Sequence, residues 1–454
     1  MSLSAAQSAY SRTRDFVSAG RSHRFVHEVA AATSIEDCRA LVSAVPPSLK
    51  VLPVGAGQSL GDSCLNDGGA LIETRAMNRI LHFDRATGRV TCEPGVTLKD
   101  LAEYAVAHRD GRSWLPAVFP GTGAVTIAGA VANDIHGKNH TTHGSFGHHV
   151  ERLTLLRSNG DLIACDRKHN AELFHSTIGG LGLTGLIVSV TLKLRPVPGP
   201  LMEGEELRCE TLDEAFALFG ESAADWEYRF HWFDAFHPAA RGIFTRLRHC
   251  AGRAEDAEPR PALLRFLSRL RWPLALGGPS IWRAWYALSL SRAPRLKARR
   301  ATYDDALAPL GSFPHWNRLF GRSGLLHFQA VFPERDGLSV VKAILAACRS
   351  AGEPPCVSSI KVFGPKRPDG LLSFPREGVT LALDFVNRGE STRQLLGRLE
   401  NLVIAAGGAI YPGKDSTLST DGFHKSFPRW RQFATHVDPN FSSTFWRRVG
   451  GASS

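Results

Sequence analysis

The stretch from Pro120 to Gly147 is rich in glycine and polar residues, and these residue types suggest a binding site. The stretch contains six glycines, an apolar middle from Val125 to Ala128 and a polar tip from His136 to Asn139. Glycine permits unusual φ values and lets the backbone approach a ligand closely. The stretch is therefore predicted to lay its backbone against a ligand, with a histidine and a lysine at the ligand's edge.

Two further glycine-rich loops adjoin short predicted strands. The first, from Gly55 to Asp62, follows the strand Lys50 to Val54 and lacks the helix that a Rossmann dinucleotide site needs after its glycines. Successive backbone N–H groups of such a loop can hold a diphosphate, although a plain turn between strands is the alternative. The other loop, from Ser176 to Gly185, leads into a β-branched strand from Leu186 to Leu194.

Predicted helices and strands surround these loops. Helical patterns begin after Thr33 or Ser34, and after Thr97 with Asp100 three residues on. Later predicted elements are a hairpin at Asn159-Gly160, strands at 325–332, 358–363 and 379–385, and helices at 338–351 and about 391–406. The alternation of strands and helices predicts an α+β protein.

The composition excludes several classes of protein. A chain of 454 residues is expected to form two or three domains. It has no uncharged apolar run of about 18 residues, as a spanning helix needs, and Arg12, Arg14 and Asp15 precede any apolar segment of a signal peptide. Eight scattered cysteines without a C-x-x-C pair predict neither disulfides nor a zinc site. We expect a cytoplasmic protein without a metal site.

The positive charge is concentrated in one segment. Residues 246–300 carry thirteen arginines and lysines against three acids, nearly the whole net charge of +11. Two stretches within it, 263–272 and 281–286, interleave Leu, Phe and Trp with cations. A charge run is usually a solvated face, but bulky apolar residues suit a segment that dips into a bilayer surface. The segment is therefore predicted to contact a membrane.

Eight sequence blocks in a fixed order carry a family resemblance over nearly the whole chain. They are PVGAGQSLGD, EPGVTLKDL, FPGTGAVTIAGAVANDIHGKNHTTHGSFGHHV, ELFHSTIGGLGLTGLI, WFDA, HFQAVFP, KVFGP and IYPGKDS. Together they resemble the vanillyl-alcohol-oxidase or PCMH-type FAD-linked oxidases, and within them the decaprenylphosphoryl-β-D-ribose 2′-oxidase branch. Each block alone is a weak signal, whereas the combination is specific.

The resemblance implies an α+β, two-domain PCMH-type FAD-binding fold whose substrate domain is built on an antiparallel sheet. Residues 1–198 would form the FAD-binding domain. Residues 199–404 would form the substrate-binding domain, including the basic segment 246–300. Residues 405–454 would return to the FAD domain and complete the active site.

The resemblance also implies FAD as the cofactor, with its diphosphate on the glycine loops. The residues expected to bind it are Pro53, Gly55, Ala56, Gly57, Gln58, Ser59, Gly61, Asp62, Pro120, Gly121, Thr122, Val125, Thr126, Gly129, Asn133, His136, Gly137, Asn139, Gly179, Gly180, Gly182, Gly185, Ile187 and Tyr411. In covalent relatives a histidine precedes the serine of the first loop. Gln58 stands there in this chain, so FAD is expected to be bound noncovalently.

The implied reaction is oxidation of the 2′-hydroxyl of a polyprenylphosphoryl-β-D-ribose to the 2′-keto sugar at the inner membrane. A partner short-chain keto-reductase would then complete the epimerisation to the arabinose donor. The expected catalytic residues are Lys414, His136 and Lys138, and the expected substrate-binding residues are Trp232, His327, Gln329, Lys361, Phe363 and Lys414. A lysine in an apolar loop can act as a base at lowered pKa, or stay charged to hold an alkoxide or phosphate.

Three positions depart from the family pattern and leave the lipid length and the exact sugar open. A tyrosine of the first loop is Leu60 here, one of two paired glutamines is His327, and a cysteine is Ala382. One alternative is a soluble sugar-alcohol or aldonolactone oxidase of the same fold, which would not need a membrane-facing entry. Another is a basic nucleic-acid-binding protein, which would leave the glycine loops without a role. We expect no nucleic-acid partner.

Overall fold

The computed structural model describes residues 9–108, 112–258, 279–308 and 316–450, so the predicted stretch 263–272 lies outside the described residues. The strands are β1 Ser11–Thr13, β2 His27–Ala31, β3 Val51–Val54, β4 Ala70–Glu73, β5 Ile80–Asp84, β6 Arg89–Cys92, β7 Ser113–Leu115, β8 Val150–Leu156, β9 Leu162–Asp166, β10 Leu186–Lys193, β11 Arg195–Val197, β12 Leu201–Cys209, β13 Tyr228–Phe233, β14 Gly242–Cys250, β15 Leu296–Thr302, β16 Leu325–Phe332, β17 Val357–Phe363, β18 Gly378–Val386 and β19 Ala409–Ile410. The helices are α1 Ile35–Ala44, α2 Leu98–Ala107, α3 Ile127–Ala132, α4 His140–His143, α5 Ala171–Thr177, α6 Leu212–Glu221, α7 Pro279–Arg292, α8 Tyr303–Leu307, α9 Gly337–Ser350, α10 Glu390–Ala405, α11 Thr420–Ser426, α12 Trp430–Ala434 and α13 Thr444–Val449.

The strands form three larger sheets and one two-stranded sheet. The first has the order β1-β2-β4-β3, in which β3 and β2 both run parallel to β4. The second, β5-β6-β10-β8-β9, is antiparallel, and β7 pairs with β11. The third is an eight-stranded antiparallel sheet with the order β15-β12-β14-β13-β17-β18-β16-β19. The predicted α+β class is confirmed. All strands of the large antiparallel sheet except β19 lie within residues 199–404, whereas β19 lies in the segment 405–454.

Several local signals in the sequence produce the expected elements. Ser34 caps α1 by accepting a hydrogen bond from the amide of Asp37 at 3.0 Å. Thr97 and Asp100 form a reciprocal capping box at the start of α2. Gly160 has φ = 88°, as the tight turn between β8 and β9 requires. These elements depend on neighbouring residues alone, which is why the sequence predicts them.

The glycine-rich stretch from Pro120 to Gly147 differs from its prediction because it contains the short helix α3. Thr126 caps this helix by accepting a hydrogen bond from the amide of Gly129 at 3.3 Å. Ile127 and Val131 are buried at helical spacing on its inner side. A single glycine in a helix of this length is tolerated when tertiary packing fixes the buried side.

The end of the chain packs against its beginning. The amide of Ser442 donates to Val51 at 3.0 Å, and the amide of Val51 donates to Asn440 at 2.9 Å. In the same part of the chain β19 joins the large sheet beside β16. We therefore propose that residues 1–198, 199–404 and 405–454 are separate units of the fold. The sheets support this division, because β10 is the last strand of the first two sheets and β12 is the first strand of the largest sheet.

The basic segment carries less free charge than its composition suggests. Three of its arginines pair with glutamates on the adjacent strand β12. The pairs are Arg246–Glu205, Arg248–Glu203 and Arg299–Glu206. Counting charges from 246 to 300 missed these acids because strand pairing brings them from outside the segment. Among the described residues, no helix is both long and apolar enough to cross a bilayer.

Candidate active site

Three loops and the C-terminal segment meet at the end of β3. A Cβ added to Gly55 would lie 2.2 Å from Thr126 Oγ1, and one added to Gly61 would lie 1.5 Å from the carbonyl oxygen of Asp415. A Cβ on Gly182 would lie 3.4 Å from Pro53. These distances leave no room for side chains at Gly55 and Gly61, so the first loop must be glycine-rich to fit between its neighbours.

The first loop fits a diphosphate group. Among the described residues, the backbone N–H groups of Ala56, Gly57 and Gln58 donate no hydrogen bond to another residue, whereas the amide of Ser59 donates to the thiol of Cys64. Residues 55–59 are half-buried or exposed, so their amides lie beside accessible space. Backbone N–H groups in succession form an anion-binding nest. This arrangement fits the diphosphate of FAD, the cofactor that the resemblance implies.

The third loop is bonded to the helix of the second. The amides of Gly179 and Leu181 donate to Val131 and Ala132 at 2.9 and 2.8 Å. The hydroxyl of Tyr411 donates to the carbonyl of Asn133 at 3.0 Å, which ties the C-terminal segment to the same place. Asn133 Oδ1 is buried there without a partner among the described residues. The junction of the third loop, α3 and the C-terminal segment therefore offers an unsatisfied acceptor. An N–H donor of a cofactor ring would satisfy it.

Some residues expected at the cofactor have side chains engaged elsewhere. The carboxylate of Asp62 pairs with Arg448 at 2.8 Å. Asn139 donates to Ala117 and to Glu227, both at 2.9 Å. Ile187 is buried in a core cluster of the β10 sheet. Gly185 lies against the carbonyl of Leu156. The side chains of Asp62 and Ile187 are therefore not available to a cofactor, whereas Asn139 Oδ1 is buried without a partner among the described residues.

One face of the largest sheet collects the expected substrate-binding side chains. On β16 His327 and Gln329 point to the same face, because side chains alternate along a strand. Cross-strand pairing places Asp384 opposite His327 and Thr380 opposite Lys361. Gln329 Nε2 donates to Thr380 Oγ1 at 3.1 Å. The expected substrate-binding residues are therefore far apart in the sequence but close together in the sheet.

His136 lies against this face as a neutral acceptor. Its Nε2 lies 2.8 Å from Gln329 Nε2, so the amide donates and the imidazole accepts. The ring of Phe363 packs edge-on against His136 at 4.7 Å between centroids. Burial, followed by Lys361 and Lys414, lowers the pKa of His136 well below its usual value. We infer that His136 is a neutral ring that positions Gln329.

Three half-buried lysines surround the same space. Lys138 Nζ donates to the carbonyl of Leu307, and Lys414 Nζ lies 5.9 Å from the ring centre of Tyr411. Burial and the nearby lysines lower the pKa of Lys361 well below its usual value. Burial lowers the pKa of Lys414, and Asp384 opposes that shift. Among the described residues none of the three lysines has an ion-pair partner within 4.0 Å, so their positive charges are mutually repulsive.

Trp232 lies on the same face of the sheet as Lys361. Its ring stacks on Tyr286 of α7 at 4.7 Å and meets Trp285 edge-on at 4.9 Å. Tyr286 is held by a hydrogen bond of 3.0 Å to the carbonyl of Cys356. Helix α7 of the basic segment thereby supports the wall that Trp232 was expected to form.

Sequence reasoning missed three residues of this region. Asp384 and Thr380 lie in β18, whose pattern predicts a buried strand and gives no sign that alternate residues face a polar pocket. The alternation of β18 against β16 could have found them, once the register was known. Arg448 bonds Asp62 and Asp415 from the last helix. No local signal marks it.

Gln58 gives a direct prediction about the cofactor linkage. Its side chain is exposed and Nε2 donates to the carbonyl of Ala56 at 3.1 Å. A carboxamide has no nucleophilic imidazole nitrogen, so we expect FAD to be released intact when the protein is precipitated with acid. Flavin absorption should then appear in the supernatant. Flavin that stays with the protein pellet would contradict noncovalent binding.

Comparison with known proteins agrees with this geometry. Residues 27–166 match the family model described as "FAD binding domain". The chain is 31% identical over 453 residues to decaprenylphosphoryl-beta-D-ribose oxidase of Mycolicibacterium smegmatis (strain ATCC 700084 / mc(2)155), covering 93% of this chain and 95% of the relative. It is 34% identical over 165 residues to L-gulonolactone oxidase of Bos taurus, covering 36% of each chain.

The extent of each similarity decides what it shows. D-lactate dehydrogenase of Anaerostipes hadrus is 30% identical over 174 residues, covering 37% of this chain and 36% of the relative. The similarity to the lactone oxidase and the lactate dehydrogenase is thus partial, whereas the similarity to the ribose oxidase includes both the glycine loops and the large sheet. The chain is an FAD-dependent oxidoreductase and belongs to the same family of FAD-linked oxidases as decaprenylphosphoryl-beta-D-ribose oxidase.

Proposed function

We propose that this protein oxidises the 2′-hydroxyl of a polyprenylphosphoryl-β-D-ribose to the 2′-keto sugar. The product is a ketone that a separate short-chain keto-reductase would reduce to the arabinose epimer. The proposal extends to this chain the substrate for which its relative, decaprenylphosphoryl-beta-D-ribose oxidase, is named. The oxidation would be the first half of an epimerisation that supplies an arabinose donor.

The cluster of three lysines in the site is the observation that carries this proposal. Lys414 lowers the pKa of Lys138 and of Lys361, and Lys138 also lowers the pKa of Lys361, so the three side chains lie near one another. Asp384 is the carboxylate that acts on Lys414. A substrate with a phosphodiester would stabilise the charged forms of these lysines, whereas a neutral sugar alcohol would not.

Different residues of the site bind the sugar and orient its reacting hydroxyl. FAD, when bound, supplies the acceptor for the hydride that leaves the sugar carbon. Gln329, held between His136 and Thr380, presents its unpartnered Oε1 as an acceptor for a sugar hydroxyl. Lys414 holds the oxygen of the reacting hydroxyl and stabilises negative charge that develops on it.

Anaerobic addition of substrate to the FAD-loaded protein tests the proposed function. A polyprenylphosphoryl-β-D-ribose should bleach the flavin absorption, and the keto product should be detectable by mass spectrometry. The matched control is the same sugar without its phosphoprenyl group. If neutral alditols or aldonolactones bleach the flavin and the phosphosugar does not, the alternative of a soluble sugar oxidase replaces this proposal.

The binding of the phosphosugar should weaken as the pH rises from 7 to 9. The pKa of Lys138 is lowered to about 7, mainly by burial and further by the charges of Arg299 and Lys414. Above that pH the amine loses the charge that attracts the phosphodiester, so affinity falls and binding at pH 8 should take up protons. Calorimetry in two buffers of different ionisation enthalpy measures this uptake. Lys138→Met should bind more weakly at pH 7 and vary less with pH; a pH-independent wild-type affinity would contradict the role of Lys138.

We further propose that the protein works in the cytoplasm, attached peripherally to the inner membrane through exposed residues of α7 and of β15. Leu288 and Leu296 are 50% and 56% exposed beside basic residues of the same segment. Leu288→Glu/Leu296→Glu should lower sedimentation with anionic vesicles by at least about 10-fold, given roughly 1.5–3 kcal/mol for each buried leucine. Leu81→Glu/Leu162→Glu changes two exposed leucines of the FAD-binding part and serves as the control. Equal sedimentation of both variants would contradict the assigned face.

A further inference from the structure

His327 and Asp384 form a buried pair on the polar face of the large sheet. The two residues lie directly opposite each other on β16 and β18. His327 Nδ1 lies 2.5 Å from Asp384 Oδ1, so the ring donates its Nδ1–H to the carboxylate. Both side chains are buried, which protects this hydrogen bond from competition by water. The contact fixes the ring orientation and the tautomer.

The other ring nitrogen of His327 has no hydrogen-bond partner. Nε2 is buried and contacts no donor among the described residues. The two nitrogens of an imidazole point to different sides of the ring, so Nε2 faces away from Asp384. Lys414 and Lys361 both lower the pKa of this ring, so the ring lies near the lysines of the site. A buried, unpaired acceptor is costly to maintain, and the contact with a substrate hydroxyl would satisfy it.

The remaining groups of the site are less suited to accept a proton. His136 Nε2 is already engaged with Gln329. Burial lowers the pKa of Lys414 and Asp384 opposes that shift, and a lysine that holds the substrate oxygen as an ammonium has no lone pair to accept the proton. Burial, opposed by Asp384, lowers the pKa of His327, so its ring is neutral in the resting protein and Nε2 carries a lone pair. Asp384 would then balance the positive charge of the ring after it has gained a proton.

We propose that His327 Nε2 is the acceptor of the hydroxyl proton, with Asp384 as its positioning residue and Lys414 as the cation that holds the oxygen. The inference rests on the proposed function. The O–H bond breaks as the bond from Nε2 of His327 to the proton forms, and the carbon hydrogen leaves with its electron pair as C=O forms. FAD, when bound, would supply the acceptor for that hydride. One proton and one hydride thus leave the alcohol, which balances its two-electron oxidation.

His327→Gln tests this assignment because it keeps a neutral polar side chain and removes the base. The variant should bind FAD and phosphosugar within about 3-fold of the wild type, while the rate of anaerobic flavin reduction falls about 10²–10³-fold. His231→Gln is the matched control. His231 is buried in the same sheet on the opposite face, where it stacks on Phe233. A wild-type rate in His327→Gln would overturn the proposal while the proposed function stands.

A measurement without substrate separates the two proposals. Nitrogen NMR of histidine-labelled FAD-bound protein should show His327 neutral and protonated at Nδ1 near pH 7.5, with the signal identified by its loss in His327→Gln. A cationic ring, or one protonated at Nε2, overturns the proposal whatever the substrate is. If only a neutral sugar bleaches the flavin, the proposed function fails, and the two variants compared on that sugar still decide whether His327 takes the proton.

Discussion

Replacing Lys414 by methionine should leave FAD bound and lower the rate of flavin reduction by the phosphosugar about 10³-fold. Methionine matches the length of lysine but cannot hold a developing oxyanion. The backbone around this position should not change, because the amide of Tyr411 donates to Gln329 at 2.9 Å and the amide of Lys414 donates to Tyr411 at 3.2 Å. Stopped-flow absorption under anaerobic conditions measures the rate.

The control for Lys414 is Lys425→Met. Lys425 is exposed and pairs with Asp421 one helical turn away, so its replacement should not alter flavin reduction. The substrate affinity of Lys414→Met should fall less than its maximal rate, because the interaction strengthens as the oxygen becomes negative. Reduction at the wild-type rate in Lys414→Met would remove Lys414 from the proposed chemistry.

Replacing Arg448 by methionine should lower the free energy of unfolding by about 3–5 kcal/mol and weaken FAD binding. The guanidinium lies 2.8 Å from Asp62 and 3.1 Å from Asp415, and both carboxylates are only 3% exposed. Without it, two buried carboxylates remain without a counterion and would push the first loop and the C-terminal segment apart. Urea unfolding reports the loss of stability, and fluorescence of released flavin reports the loss of FAD.

Arg335→Met provides the comparison for Arg448. Arg335 pairs with Asp336 but is 84% exposed, so this substitution should cost under about 1 kcal/mol. Arg448→Lys keeps one charge but not the fork that reaches both carboxylates, and should fall between Arg448→Met and the wild type. Equal stability of Arg448→Met and Arg335→Met would show that the Asp62 and Asp415 contacts do not hold the two segments together.

The sequence determined the features that depend on short stretches of chain. Ser34 and Thr97 cap helices through residues three positions away, and Asn159-Gly160 makes its turn locally. The glycine loops and the block around Lys414 gave the family, the FAD cofactor and the α+β class, which the comparisons confirm. The candidate site residues remain proposals, although the structure brings His136, Gln329 and the three lysines into one region.

Only the tertiary structure decided which of these groups interact. Asp384 meets His327 because β18 and β16 pair in one register, and a shift of one residue would turn both side chains to the opposite face. Strand pairing likewise brings Glu203, Glu205 and Glu206 to the arginines of the basic segment. Long-range pairing depends on how the whole chain packs, so no local pattern around His327 or Arg246 encodes its partner.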